Sequence, residues 1–175
     1  MILQIIVQEL PAVFGALESS AIRHGFAESD RIACEEYDAG MLDNGFRERR
    51  SRLFLQMAGA DAALAPKITE LYVTRYPELN ASMAGAQSAV DSLAENFQLG
   101  VVSNGFVDVQ YRKLEALQIR PLFDCIVLSE EVGVQKPDPR IFQHAASILG
   151  VAPEECLYVG DLFARISQIE IPFCV

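Results

Sequence analysis

Three segments of this 175-residue chain carry polar groups of the kinds that bind a phosphoryl group. Ser103, Asn104 and Gly105 end one apolar run. Lys136 lies in a loop stiffened by two prolines, and Asp161 ends a second apolar run. A hydroxyl and backbone amides donate to phosphate oxygens, an ammonium balances their charge, and a carboxylate suits Mg²⁺. Together the three segments predict a site for phosphate and magnesium.

The order of these segments carries the prediction, because each is common by itself. Ser-Asn-Gly is an ordinary turn sequence, and Gly-Asp after a strand is equally unspecific. The chain has no aspartate before Asp30, so its N-terminal residues offer no aspartate as a nucleophile.

The second half of the chain has the rhythm of an α/β protein. Apolar runs predict strands at residues 97–102, 125–128, 157–159 and 171–175. Helical periodicity predicts helices at 86–95, 107–117 and after Asp138, which is placed to cap its helix. Alternation of this kind predicts a parallel sheet covered on both faces, with ligands beyond the carboxyl ends of its strands. Ser103, Asn104 and Asp161 fall at those ends, and Lys136 in a loop.

The first half predicts a small helical bundle. Apolar residues three and four apart indicate helices at 11–25, 31–37, 46–57 and 60–76, with Gly25 as the stop of the first. A basic run predicts either a solvated helix face or one arginine that reaches a substrate; it consists of Arg47, Arg49, Arg50 and Arg52.

The overall charge limits the partners. A net charge of −10 argues against a nucleic acid polymer, which needs a basic face, but a small phosphorylated molecule needs only local cations. Residues 1–7 are apolar but too short to span a bilayer and lack the basic start of a signal peptide, so no membrane partner and a cytoplasmic location are expected.

The three segments resemble motifs two, three and four of the haloacid dehalogenase superfamily, in wording similar to its nucleotidase and sugar-phosphatase branches. The matching residues are 103–106, 129–142 and 158–161. The resemblance implies an α/β, Rossmann-like parallel sheet core with a helical cap domain. It also implies Mg²⁺ as cofactor and hydrolysis of phosphomonoesters through an aspartyl-phosphate. Residues 11–80 correspond to the cap and 81–175 to an incomplete core, with 1–10 as a possible residual first strand.

The resemblance also implies a role for each candidate residue. Ser103, Asn104 and Gly105 would bind the phosphate. Lys136 would hold phosphate and nucleophile together as a catalytic and substrate-binding residue, and Asp161 would ligate Mg²⁺.

The family's first motif, a strand ending in Asp-x-Asp, leaves two alternatives. If residues 1–7 are that strand, Gln8 and Leu10 fall on the positions of the nucleophile and the acid/base, and neither can do that chemistry. If the cap begins at Pro11, the motif lies upstream of Met1. The second alternative is favoured because residues 1–8 leave no room for the loop into the cap.

The residues after Asp161 depart from the family as well. Leu162 and Ile166 stand where the family has a hydroxyl residue and a second acid, so weak Mg²⁺ binding is expected. The chain is therefore predicted to be a phosphomonoester phosphatase by lineage, for nucleotides or sugar phosphates, with little or no turnover. The competing prediction is a non-catalytic remnant that binds a phosphorylated ligand or a partner protein.

Overall fold

The computed structural model describes residues 2–42, 45–79 and 82–160. Asp161 and the predicted strand at 171–175 lie outside these residues. The chain divides into two compact units, Met1–Leu79 and Asn80–Val175, called here the N-terminal and the C-terminal unit. In the described ranges, no helix combines the length and the apolar character needed to cross a membrane.

The N-terminal unit is helical. Its α-helices are α1 (Ile2–Glu9), α2 (Pro11–Phe14), α3 (Ser19–Asp38), α4 (Phe46–Met57) and α5 (Ala65–Arg75), with 3₁₀ turns at Ala62–Leu64 and Tyr76–Leu79. Helix α4 packs between α3 and α5, and α1 packs on α5. Phe54 lies at the centre of the core, stacked on Phe14 with ring centroids 5.2 Å apart and meeting the edge of Phe26 at 5.5 Å.

Helix α1 corrects one of the two alternatives for the start of the chain. Residues 2–9 form a helix and not a first core strand. Ile2, Ile6 and Leu10 are four residues apart, and all three are buried in the core of the N-terminal unit. Apolar residues at this spacing share one face of a helix, whereas in a strand only alternate residues share a face.

The predicted helix stop at Gly25 is also wrong, because α3 runs through this residue to Asp38. Gly25 lies on the face of α3 that packs against α4. A Cβ at this position would lie 3.6 Å from Cβ of Met57 and 3.8 Å from the ring of Phe54, which are ordinary contact distances. The glycine is therefore accommodated inside α3 and does not end the helix.

Arg50 departs from the prediction of a solvated arginine face. Its side chain is only 7% exposed and pairs with Asp30 at 3.0 Å. The guanidinium carbon lies 3.9 Å from the ring centre of Tyr72, a cation–π contact. Burial raises the pKa of the Tyr72 hydroxyl, so this phenol stays neutral beside the guanidinium. Arg50 is thus part of the core of the N-terminal unit, while Arg49 pairs with Glu36 nearer the surface.

The C-terminal unit contains the parallel sheet. Its elements are α6 (Ala86–Ala94), β1 (Gly100–Ser103), α7 (Val107–Ala116), β2 (Cys125–Leu128), α8 (Ser129–Val132) and α9 (Pro139–Leu149). Strands β1 and β2 pair in parallel, with Gly100 opposite Cys125 and Ser103 opposite Leu128. Helix α9 packs on both strands and buries its apolar face, Ile141, Phe142 and Ala145, against Cys125 and Val127.

Two strand predictions need correction. Strand β1 begins at Gly100 and not at Phe97, because the Phe97 N–H still donates to Leu93 O of α6 at 2.9 Å and its side chain is 65% exposed. Residues 157–159 are not a strand, and Leu157 and Val159 are 66% and 83% exposed. A strand needs a partner for its backbone groups, and among the described residues the sheet consists of β1 and β2 alone.

Candidate functional site

The site begins where β1 ends. Ser103 is the last residue of β1, and Asn104 and Gly105 turn the chain toward α7. The Gly105 N–H donates to Oγ of Ser103 at 3.0 Å, which holds the turn closed. A Cβ on Gly105 would lie 1.9 Å from Nε2 of Gln110, so the Gln110 side chain folds directly over this glycine. The turn therefore presents the Ser103 hydroxyl in a fixed position.

Asn104 joins this turn to the lysine loop, 32 residues away. The Lys136 N–H donates to Oδ1 of Asn104 at 2.7 Å, and Nδ2 of Asn104 donates to the Lys136 carbonyl at 2.9 Å. One side-chain amide thus satisfies both backbone groups of the lysine, and both groups are partly buried. The structure therefore brings the Ser-Asn-Gly turn and Lys136 together.

The Lys136 side chain is held by an aromatic residue that the sequence did not single out. Nζ of Lys136 donates to the Tyr158 hydroxyl at 2.9 Å and lies 5.5 Å from the centre of the same ring. The Tyr158 ring meets Phe142 of α9 edge to face, with centroids 5.0 Å apart. The lysine is followed by a cis Lys136–Pro137 peptide.

The lysine loop ends in a capped helix, as predicted. The Asp138 carboxylate accepts from the Arg140 N–H at 2.9 Å and pairs with the Arg140 guanidinium at 2.6 Å. Hydrogen bonds from the Arg140 guanidinium, and then from its N–H, lower the pKa of the Asp138 carboxyl below its ordinary value.

Glu130 of α8 is a second residue that the sequence did not indicate as part of the site. Its Oε2 accepts from the Val107 N–H at 2.8 Å, the first backbone donor of α7. The neighbouring Glu131 accepts from the Tyr111 hydroxyl at 3.3 Å. Burial, and then the charge of Glu131, raises the pKa of that phenol. The two acids thus join α7 to α8, the helix that follows β2.

The described residues do not assemble a metal site. No group of three histidine, cysteine or acidic side chains lies close enough to hold an ion in the part of the chain that the structure describes. Asp161, the predicted Mg²⁺ ligand, lies outside it, and a magnesium ion needs carboxylate oxygens that Ser103, Asn104 and Lys136 do not supply.

The arrangement is suited to an anion. A serine hydroxyl that accepts a hydrogen bond keeps its own O–H to donate, and a lysine ammonium has three donors, of which Tyr158 uses one. No carboxylate of the described residues contacts Asn104 or Lys136 in this arrangement, so it offers donors and positive charge rather than a nucleophile.

Comparison with protein families decides the lineage. A model of the haloacid dehalogenase-like hydrolases matches residues 5–167. The chain belongs to this family. The resemblance inferred from the three motifs is therefore confirmed, and so is the α/β fold class of the haloacid dehalogenase-like proteins.

Curated relatives of this haloacid dehalogenase-like chain are phosphatases and a nucleotidase by name. It is 39% identical to the glyceraldehyde 3-phosphate phosphatase of Methanopyrus kandleri over 65% of this chain and 50% of that protein. It is 36% identical to the phosphoserine phosphatase of Thermus thermophilus over 66% of this chain and 47% of that protein. The pyrimidine 5′-nucleotidase YjjG of Escherichia coli is 35% identical over 54% and 43%. The chain spans about half the length of these relatives.

A solved structure has the same fold. The crystal structure of the HAD hydrolase YfnB from Bacillus subtilis, bound to magnesium, superposes with a TM-score of 0.67. The superposition covers 83% of this chain and 62% of the other at 21% identity.

Proposed function

We propose that this chain binds the phosphate group of a small phosphorylated molecule, a nucleotide or a sugar phosphate, at the edge formed by Ser103, Asn104 and Lys136. The observation that carries the proposal is the double hydrogen bond between Asn104 and the Lys136 backbone. It joins a turn that presents a hydroxyl to a loop that presents an ammonium. The curated relatives are phosphatases and a nucleotidase by name, which supports a small phosphorylated ligand.

In this proposal Ser103 and the amides of the turn donate to phosphate oxygens, and Lys136 supplies the positive charge. Asp161 is the proposed ligand of a weakly bound Mg²⁺, and the magnesium in YfnB supports that choice of ion. A cytoplasmic location is part of the same proposal.

The proposed lineage is phosphomonoester hydrolysis, but we infer slow or absent turnover for these 175 residues. The family mechanism that the resemblance implies needs an Asp-x-Asp pair, and no Asp-x-Asp occurs anywhere in the sequence. Residues 2–9, which cover the nominal nucleophile position, form a helix in which Gln8 is exposed. Loss of a nucleophile typically costs several orders of magnitude in rate.

Binding of inorganic phosphate, measured by isothermal titration calorimetry, tests the site. Lys136→Ala removes a charge-assisted donor and is expected to weaken binding about 10- to 100-fold, because such a hydrogen bond contributes about 1.5–3 kcal/mol. Lys67→Ala is the matched control, since Lys67 is exposed on α5. Equal affinities of the two variants would refute the phosphate site.

Hydrolysis of p-nitrophenyl phosphate in the presence of Mg²⁺ tests the inferred loss of turnover. The expected rate is close to that of the uncatalysed reaction. Fast hydrolysis that Lys136→Ala abolishes would show that a nucleophile other than the family aspartate operates. Phosphate binding without hydrolysis would favour the second candidate function, a non-catalytic phosphate-binding protein, for which the missing Asp-x-Asp is the supporting observation.

A further inference from the structure

We propose that Tyr158 is a positioning residue of this phosphate site, whose hydroxyl holds the Lys136 ammonium where the anion binds. The inference rests on the proposed function, because it assigns a task to a residue around the lysine of that site. Tyr158 precedes the apolar dipeptide Val159-Gly160 and lies three residues before Asp161, so its hydroxyl does not belong to the three polar groups from which the site was predicted.

Lys136 is held both at its backbone and at the end of its side chain. Its backbone N–H and carbonyl are both bound by Asn104, at 2.7 and 2.9 Å. Its Nζ donates to the Tyr158 hydroxyl at 2.9 Å and lies 5.5 Å from the ring centre. A free lysine side chain loses much rotamer freedom when it binds an anion, which weakens binding. Because Tyr158 fixes the ammonium before the anion arrives, less side-chain entropy is lost on binding, and the affinity for the anion is higher.

Tyr158 is itself held in place by α9. Its ring meets Phe142 edge to face at 5.0 Å and an interplanar angle of 78°. Phe142 is 4% exposed and lies on α9, which starts at Pro139 just after the lysine loop and is capped by Asp138. The helix that follows the lysine loop thus holds the Tyr158 ring through Phe142, and Tyr158 in turn holds Nζ of Lys136.

The Tyr158 hydroxyl can also donate a hydrogen bond to the anion. A tyrosine hydroxyl that accepts from an ammonium keeps its own O–H as a donor. An anion next to Nζ would therefore find a second donor within reach, on a residue that is only partly buried. In this proposal the hydroxyl binds the anion and orients the ammonium.

Titration of wild type, Tyr158→Phe and Tyr111→Phe with inorganic phosphate tests the proposal. Tyr158→Phe keeps the ring that meets Phe142 and removes only the oxygen. We expect its phosphate affinity to fall about three- to tenfold, as for the loss of one hydrogen bond, with an unchanged melting temperature in phosphate-free buffer. Tyr111→Phe removes a hydroxyl whose partner is Glu131, and its affinity should equal that of wild type.

A ring-packing role is separated from a hydroxyl role by Phe142→Leu. This variant keeps the Tyr158 hydroxyl and removes its aromatic neighbour. It should lower the melting temperature, and it should weaken phosphate binding less than Tyr158→Phe does. If Phe142→Leu weakens phosphate binding as much as Tyr158→Phe does, or if Tyr158→Phe binds phosphate like wild type, the proposal is wrong. If wild type binds no phosphate, the proposed function fails, and the role of Tyr158 in it fails too.

A second measurement examines the contact without phosphate. The chain has three lysines, Lys67, Lys113 and Lys136, so brief acetylation with acetic anhydride followed by mass spectrometry resolves each of them. Release of the ammonium in Tyr158→Phe should raise the labelling rate of Lys136 several-fold relative to Lys67. An unchanged ratio would show that Tyr158 does not hold Nζ, whatever the phosphate titration gives.

Discussion

At the scale of single residues, the Asn104 side chain binds both the N–H and the carbonyl of Lys136. A carboxamide has an acceptor and a donor side by side, and the Lys136 backbone offers the complementary donor and acceptor. An aspartate would accept from the N–H but would meet the carbonyl with a second acceptor. The site therefore depends on an amide at this position and not merely on a polar residue.

Asn104→Ala is expected to destabilise the protein by about 2 kcal/mol, since two hydrogen bonds of about 1 kcal/mol each are lost. Urea unfolding at neutral pH measures the change. Asn96→Ala is the control, because the Asn96 amide makes only a long, exposed contact of 3.4 Å with Ser92 O. Equal losses in the two variants would mean that the bridge to Lys136 contributes nothing.

Asp138 links stability to pH. Its pKa is lower in the folded protein than in the unfolded chain, so its contribution is present above pH ~4, the ordinary pKa of an aspartate, and is lost as the pH falls through the folded pKa. We expect Asp138→Asn to lower the urea midpoint at pH 7, and the difference from wild type to shrink as the pH falls below about 4. Asp91→Asn, on exposed α6, controls for the loss of one negative charge.

Sequence reasoning could find Ser103, Asn104 and Lys136 because each follows or lies beside a recognisable apolar run or turn. It could not find Tyr158, because an aromatic residue in an apolar run is ordinarily a core residue, and only the three-dimensional position of its hydroxyl near Nζ separates the two roles. The contact of Glu130 could not be predicted for a similar reason. Nothing in the sequence around this acid indicates that it accepts from the first N–H of a helix 23 residues away.

At the scale of elements, Gly100 of β1 leaves room for the Cys125 side chain of β2. A Cβ on Gly100 would lie 2.8 Å from Sγ of Cys125, which is buried and directly opposite. We expect Gly100→Ala to destabilise the protein by about 1–3 kcal/mol, the usual cost of overpacking.

The companion variant Cys125→Ala removes the sulfur that the new methyl group would meet. The double variant Gly100→Ala/Cys125→Ala should be more stable than the sum of the two single losses predicts, as measured by urea unfolding. Strict additivity would contradict the close contact.

Elements with local signals were predictable from the sequence. Strand β2 has its predicted bounds, and α9 begins where Asp138 caps it. Elements that depend on distant partners were not. Residues 157–159 have the composition of a strand, but composition does not supply a neighbouring strand to pair with. Residues 2–9 are equally apolar in either structure, and the spacing of Ile2, Ile6 and Leu10 is what favours the helix.

At the scale of the whole molecule, the described residues form two hydrophobic cores. One surrounds Phe54 and Ile6 in the N-terminal unit, and the other surrounds Val127 and Ile141 in the C-terminal unit. The two clusters share no residue.

Hydrogen exchange followed by mass spectrometry should therefore report on each core separately. Phe54→Ala is expected to remove about 3–5 kcal/mol of packing and to speed exchange in residues 2–79 while leaving that of α9 unchanged. Ile141→Ala is the reciprocal variant and should act on α9 and β2. A uniform rise in exchange across both units would contradict separate cores.

The bridge from Asn104 to Lys136 has a thermodynamic consequence. Its two halves lie 32 residues apart and meet only when β1 and β2 have paired, so an unfolded or partly folded chain has no such site. An anion that binds there selects the native state and, by mass action, shifts the folding equilibrium toward it. Phosphate in the buffer would then act as a chemical chaperone for the C-terminal unit, and the melting temperature would rise with its concentration.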